Sequence, residues 1–152
     1  MPIRQDADGR FFEYRHVISF EETNVVGNVY YANHVLWQGR CREMFLREYA
    51  PDVSARISQG LALITLKVSC DYQSQLYAFD EVALRMRVGW VRHNRMSLLF
   101  EYVRLRGDEV ERVAVGEQHT ACMQLTDGRL APCAWPASMA AAIEQHHLIQ
   151  GA

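Results

Sequence analysis

The chain has 152 residues, 49% hydrophobic and 22% charged, with a formal net charge of −2. That length buries a core without disulfide or metal staples, and the composition excludes a disordered or fibrous chain. The near-neutral balance excludes the basic footprint of a nucleic-acid or anionic-membrane binder. The four cysteines form no CxxC pair and match no common zinc spacing, so they read as reduced packing thiols and neither metal nor cofactor is expected. Residues 1–6 hold no apolar signal core, and the uncharged run 130–143 contains Pro132 and Pro136 and is too short to span a bilayer. A single domain over 1–152, cytoplasmic, with no membrane partner, is the expectation.

Residues 1–10 are polar and expected to be mobile. Phe11 to Phe20 reads as a first strand, and Glu21 to Ala32 as a long loop carrying Asn24, Gly27 and Asn28. Asn33 is the expected N-cap of a helix running to about Tyr49, with Pro51 marking its stop. This helix holds Val35, Leu36, Trp37, Met44, Phe45, Leu46 and Tyr49, enough apolar bulk to call for burial on most sides.

From Leu61 the period changes to two. Ala62, Ile64, Leu66, Val68, Cys70 and Tyr72 form one face, and Leu63, Thr65, Lys67, Ser69 and Asp71 the other. The alternation returns at Val82–Trp90, with Arg85 and Arg87 opposite the apolar face. Turns at His93-Asn94, Gly107-Asp108 and Asp127-Gly128 separate the strands Met96–Arg106 and Val110–Leu125. A short amphipathic helix near Ala137–His147 closes the pattern. One early helix followed by long antiparallel strands defines an α+β protein, with a five- to six-stranded antiparallel sheet wrapped around the helix. The open face or edge of that sheet is a place for a partner subunit.

Arg42 stands out on the helix. At about 100° per residue, Glu43 and Arg47 fall within about 60° of Arg40 and make a solvent face. Arg42 lies about 200° from Arg40, among Val35, Gln38, Phe45, Leu46 and Tyr49. A guanidinium there is a buried ion pair, a snorkelling side chain, or a fixed cation for chemistry. Asn24 either caps its own loop or presents an amide to a substrate. Gly27 permits a backbone conformation closed to bulkier residues. His34 near the helix start caps and packs, or contacts substrate. Thr65 is an ordinary strand residue or lines a pocket. His119 and Cys122, three apart on a strand, point to opposite faces and make a poor nucleophile–base pair, and Cys41 has no evident base. Arg85, Arg87, Arg92 and Arg95 are a solvated face or a contact for an acidic partner.

Glu22-Thr23-Asn24-Val25-Val26-Gly27-Asn28-Val29-Tyr30-Tyr31 resembles the signature loop of hotdog-fold acyl thioesterases, where an Asp precedes a Gly by three residues. Together with Trp37-Gln38-Gly39-Arg40-Cys41-Arg42-Glu43-Met44-Phe45 it is similar to the enediyne-biosynthesis thioesterases, and the resemblance covers roughly residues 11–130. It implies a hotdog fold and a homodimer or dimer-of-dimers tetramer. It also implies release of a linear polyene, as its acid or decarboxylated product, from the acyl carrier domain of an iterative polyketide synthase. Asn24, Arg42 and the Tyr31 amide would carry the chemistry, with Gly27, Val29, Tyr30, His34 and Thr65 contacting substrate. Asn24 replaces the usual Asp, a change shared by that subgroup, and an amide is no general base. A general acyl-CoA thioesterase and a non-catalytic polyketide-binding protein are the alternative readings.

Overall fold

The computed structural model describes residues 4–147. In chain order it has β1 (Arg4–Asp6), β2 (Gly9–Val17), a 3-10 turn (Phe20–Glu22), α1 (Ala32–Tyr49), α2 (Val53–Ser58), β3 (Leu61–Tyr72), β4 (Glu81–Arg92), β5 (Arg95–Arg106), β6 (Glu109–Thr126), β7 (Arg129–Pro132) and α3 (Ala137–Gln145). The antiparallel sheet runs β1-β2-β4-β5-β6-β3, with β7 added to the end of β6. This is the hotdog fold, a long helix held against a wrapped sheet. No helix among the described residues is long and apolar enough to cross a membrane.

Seven strands replace the five or six expected, because two short ones escaped the periodicity. Residues 4–10, expected to be mobile, form a hairpin instead: Asp6 Oδ1 accepts the Asp8 amide at 2.9 Å and Gly9 takes φ +111° to complete the turn. Residues 1–3 lie outside the described residues. The first long strand ends at Val17 rather than Phe20, because a capping box at Ser19 turns Phe20–Glu22 into the 3-10 turn.

Helix α1 buries His34, Trp37, Gln38, Cys41 and Phe45, a stripe at helical spacing, against the sheet and α3. Each fully buried large apolar side chain, such as Phe45, contributes about 1.5–3 kcal/mol. Asn33 is not the N-cap; Tyr31 holds that position and Asn33 Nδ2 donates to the Glu22 carbonyl at 2.8 Å, tying the first turn to the loop. Nor is the helix covered on most sides. Arg40, Glu43 and Arg47 are exposed as expected, but Leu36 is 57% and Val35 36% exposed, so part of the apolar surface lies bare.

Strand β3 departs from strict alternation. Thr65 pairs with Thr120 and Lys67 with His119, so Leu66 is an extra residue in the ladder. The bulge flips the phase. Leu61, Leu63 and Thr65 share the inner face with Cys122 and Thr120 before it, and Val68, Cys70 and Tyr72 share it with Gln118 and Gly116 after it. The even-numbered face read from the periodicity therefore holds only beyond Leu66. β3 is also the sheet's edge, twelve residues long and largely exposed.

Candidate active site

The loop before α1 is held by local bonds. Asn24 N–H donates to the Asn28 carbonyl at 2.9 Å, and Gly27 N–H donates to the Asn24 carbonyl at 2.9 Å. Gly27 sits at φ +94°, so its lack of a side chain is what permits the turn. Asn24 Oδ1 accepts the Val26 amide at 2.9 Å. That Asx turn is the capping behaviour open to any loop Asn; it leaves the two Nδ2 hydrogens for another acceptor. Val25 and Val26 are exposed, Val29 is buried, and Tyr30 and Tyr31 are exposed with ring centroids 4.7 Å apart. Tyr31 stands where the first-turn amides lack intrahelical acceptors and the helix dipole favours negative charge.

Beneath the loop lies Glu22, a residue that the reading of candidate sites missed. Its Oε1 accepts from the Ser19 amide at 3.0 Å and the Ser19 hydroxyl at 3.2 Å, and meets His16 Nε2 at 2.6 Å. Its Oε2 accepts from the buried Trp37 indole at 2.8 Å. Burial alone would raise this carboxyl, but the bonds from Ser19, His16 and Trp37 prevail and hold it below its ordinary value. The signal for it was the Ser-x-x-Glu spacing of Ser19 and Glu22.

Arg42 crosses from α1 to the inner face of the sheet. Its Nη1 donates to Gln118 Oε1 at 2.8 Å, Thr65 Oγ1 at 3.2 Å and Thr120 Oγ1 at 3.3 Å. All three acceptors are neutral, and no carboxylate ion-pairs with it among the described residues. Burial draws the guanidinium down from its ordinary value, opposed by the charge of Glu43. Thr65 reaches Arg42 because the Leu66 bulge leaves it on the inner face. Gln118 and Thr120 were legible only as polar residues alternating along the inner face of β6. Between Tyr31 and Arg42 the helix advances about 16 Å, and Asn24 and Arg42 share no hydrogen-bonding partner, so one protomer presents two polar clusters rather than one.

His34 is 3% exposed, packed by Trp37, Tyr72 and Tyr102 at centroid distances of 5.1, 4.7 and 5.5 Å. Burial pushes the imidazole down to about 4, with the Tyr31 carbonyl opposing slightly although it makes no bond of acceptable geometry. A ring neutral in the folded state and protonated in the unfolded one favours unfolding in acid. Stability is therefore expected to fall as pH drops from about 6.5 to about 4, by up to about 3 kcal/mol. Urea unfolding across that window checks it: His34→Phe should flatten the slope, and an unchanged slope would assign it to other groups.

The remaining candidates lie elsewhere. Arg85 donates to Glu13 at 3.0 Å, Arg87 pairs with Asp6, and both stack on Phe11 across the sheet's outer face. Arg92 lies over Trp90, and Arg95 is exposed. Cys41 is fully buried, burial raises its thiol strongly, and Cys122 is pushed up to about 12, so neither is a ready nucleophile. His119 pairs with Glu117 at 2.9 Å rather than with Cys122.

The profile of the thioesterase-like superfamily matches residues 18–143, and the chain belongs to that family. Among solved structures it is similar to the dynemicin thioesterase, whose crystal structures record induced-fit and allosteric effects of polyene binding. The identity is 38%, the TM-score 0.88, and the match covers 92% of this chain and 99% of that one. The 4-hydroxybenzoyl CoA thioesterase of Pseudomonas sp. strain CBS-3 shares the fold at 16% identity and TM-score 0.74, over 88% of this chain and 99% of that one. A curated protein of Aquifex aeolicus (strain VF5) named as an esterase is 25% identical over 119 residues, 78% of this chain and 88% of its own length. The chain is an acyl-thioester hydrolase of the hotdog fold, related to the enediyne thioesterases.

Proposed function

We propose that this chain releases a linear polyene, as its β-keto acid or the decarboxylated product, from the pantetheine of an acyl carrier domain in an iterative polyketide synthase. The observation that carries the chemistry is Arg42, a part-buried cation held by three neutral oxygens and ion-paired with no carboxylate among the described residues. A cation so placed is free to stabilise an anion that forms only during reaction. The substrate class draws its support from the similarity to the dynemicin thioesterase.

In this mechanism water adds to the thioester carbon. The carbonyl oxygen gains charge at the subunit boundary and is held by the Arg42 guanidinium of one protomer together with Asn24 Nδ2 and the Tyr31 amide of the other. Collapse of the tetrahedral adduct breaks the C–S bond and expels the pantetheine thiolate, which takes up a proton. No carboxylate base is required at Asn24. The acyl chain runs in an apolar channel between subunits, along Tyr31 at the N-cap of α1, Val35 of α1, and Val68 and Tyr72 of β3. The bare edge of β3 and the exposed apolar residues of α1 fit a homodimer, alone or doubled into a tetramer. Sedimentation should then give two or four times the 17.5 kDa chain mass. A monomer at micromolar concentration would remove the channel.

The test of function is incubation with a polyene-loaded synthase, with a CoA ester of matched chain length in parallel, followed by mass analysis. Free acid or its decarboxylated product, released faster from the carrier than from CoA, is the expected result. Equal or faster CoA hydrolysis would make this a general acyl-CoA thioesterase.

A further inference from the structure

Arg42 offers the reaction only one edge of its guanidinium. Its bonds to Gln118, Thr65 and Thr120 all fall on Nη1, at 2.8, 3.2 and 3.3 Å. Nε and Nη2 bond to nothing among the described residues, and neither is sealed from solvent. Their N–H bonds lie side by side in the plane of the group, the fork by which arginine grips anionic oxygens. Nη1 is therefore the anchor, and the Nε–Nη2 edge is the face left for an anion.

Gln118 is the principal anchor. Its Oε1 makes the shortest of the bonds to Nη1, and the residue is 4% exposed. A close approach of α1 to β6 brings the two together. Gly116, two residues earlier on the same inner face, leaves the space in which Gln38 Nε2 donates to the Ser69 carbonyl at 3.0 Å. A Cβ at Gly116 would run into that nitrogen. Gln38 precedes Arg42 by one turn of α1, so the same seam carries Arg42 to Gln118.

The neutrality of the anchor matters as much as its place. A glutamate at position 118 would have nearly the same shape and would accept the same bond. β6 does carry a carboxylate next door, Glu117, but the strand's period of two turns it outward, where it meets His119 Nε2 at 2.9 Å. Facing Arg42, a carboxylate would cancel the charge before any substrate arrived. An amide oxygen orients the guanidinium and leaves its charge uncompensated.

We propose that Gln118 is a positioning residue of the thioesterase reaction. Its neutral oxygen holds Nη1 so that the Nε–Nη2 edge of Arg42 faces the forming oxyanion with its charge intact. Thr65 and Thr120 complete the anchor. The proposal rests on the assignment of Arg42 to the oxyanion.

The test sets Gln118→Glu beside Gln118→Met and reads turnover of the polyene-loaded carrier and thermal unfolding in parallel. Gln118→Glu keeps the acceptor and adds a counter-charge. Its kcat should fall about tenfold or more, with KM nearly unchanged, while Tm holds or rises. A residue serving the fold alone would give another pattern, because the bond to Nη1 survives and the rate would survive with it. Gln118→Met removes the anchor and should lower both kcat and Tm. If that variant does not fold, Gln118→Glu decides alone. Wild-type or faster turnover in Gln118→Glu overturns the proposal, as does a loss of kcat that comes with a lower Tm. Arg42→Met separates this inference from the reading beneath it. If Arg42→Met turns over normally, the oxyanion role of Arg42 falls and that of Gln118 with it. If Arg42→Met is slow and Gln118→Glu is not, only the role of Gln118 falls.

Discussion

Replacing Arg42 with Met is expected to lower kcat by about 10²–10³-fold, the usual loss when an oxyanion donor is removed, with a much smaller change in KM. Methionine keeps the volume and apolar stem of the side chain and deletes the charge. Gln118, Thr65 and Thr120 lose their shared donor, which costs about 1–3 kcal/mol and should leave the fold intact. Arg42→Lys separates charge from geometry. A lysine restores a cation but not the fixed fork of the guanidinium, so only part of kcat should return. Single-turnover release of acid from a loaded carrier, with circular dichroism as the control for folding, reads both variants. Unchanged turnover in Arg42→Met would take Arg42 out of the chemistry and leave it as a polar bridge from α1 to the sheet.

Glu22→Ala is expected to be the most destabilising single change at the site. It strips the acceptor from the buried Trp37 indole, the Ser19 amide and hydroxyl, and His16. Breaking such a buried network costs about 3–5 kcal/mol, or roughly 10 °C in Tm for a chain of this size. The pH dependence has a definite sign. Because the carboxyl is held below its ordinary value, its contribution is complete above an unfolded value of about 4.3 and is lost as pH falls through the folded one. Glu22→Gln should therefore be less stable than the wild type at neutral pH and approach it in acid. Equal Tm for Glu22→Ala and the wild type at pH 7 would show that water replaces the carboxylate, and that the loop does not depend on it.

The parts of this molecule governed by local rules were legible. Long alternating strands between Asp-Gly, Gly-Asp and His-Asn turns, and a helix ended near Pro51, follow from periods and turn chemistry that operate within a few residues. The helix wheel set Arg42 apart from Arg40, and the structure turns Arg42 to the sheet and leaves Arg40 exposed. Non-local outcomes were hidden. Asn33 has the chemistry of a cap, but Glu22, eleven residues earlier, draws its amide away. Hairpin β1–β2 and strand β7 are too short to show a period. For His34 the chain reveals a histidine at a helix start; only packing shows that its nitrogens face no partner. Where the polar clusters of Asn24 and Arg42 stand relative to each other depends on helix length and docking, which no motif encodes.

The extra residue at Leu66 sets a reading frame for one edge of the protein. Deleting Leu66 itself would only restore strict alternation and keep Cys70 and Tyr72 facing inward. Deleting Ser69 beyond it would send Cys70 and Tyr72 outward and Asp71 inward. It would thereby unhook the Tyr72 hydroxyl from the Tyr31 carbonyl at the far end of the strand. Length changes beyond the bulge are tolerable only in pairs, so the spacing between Lys67 and the tyrosine at the helix start behaves as a fixed ruler.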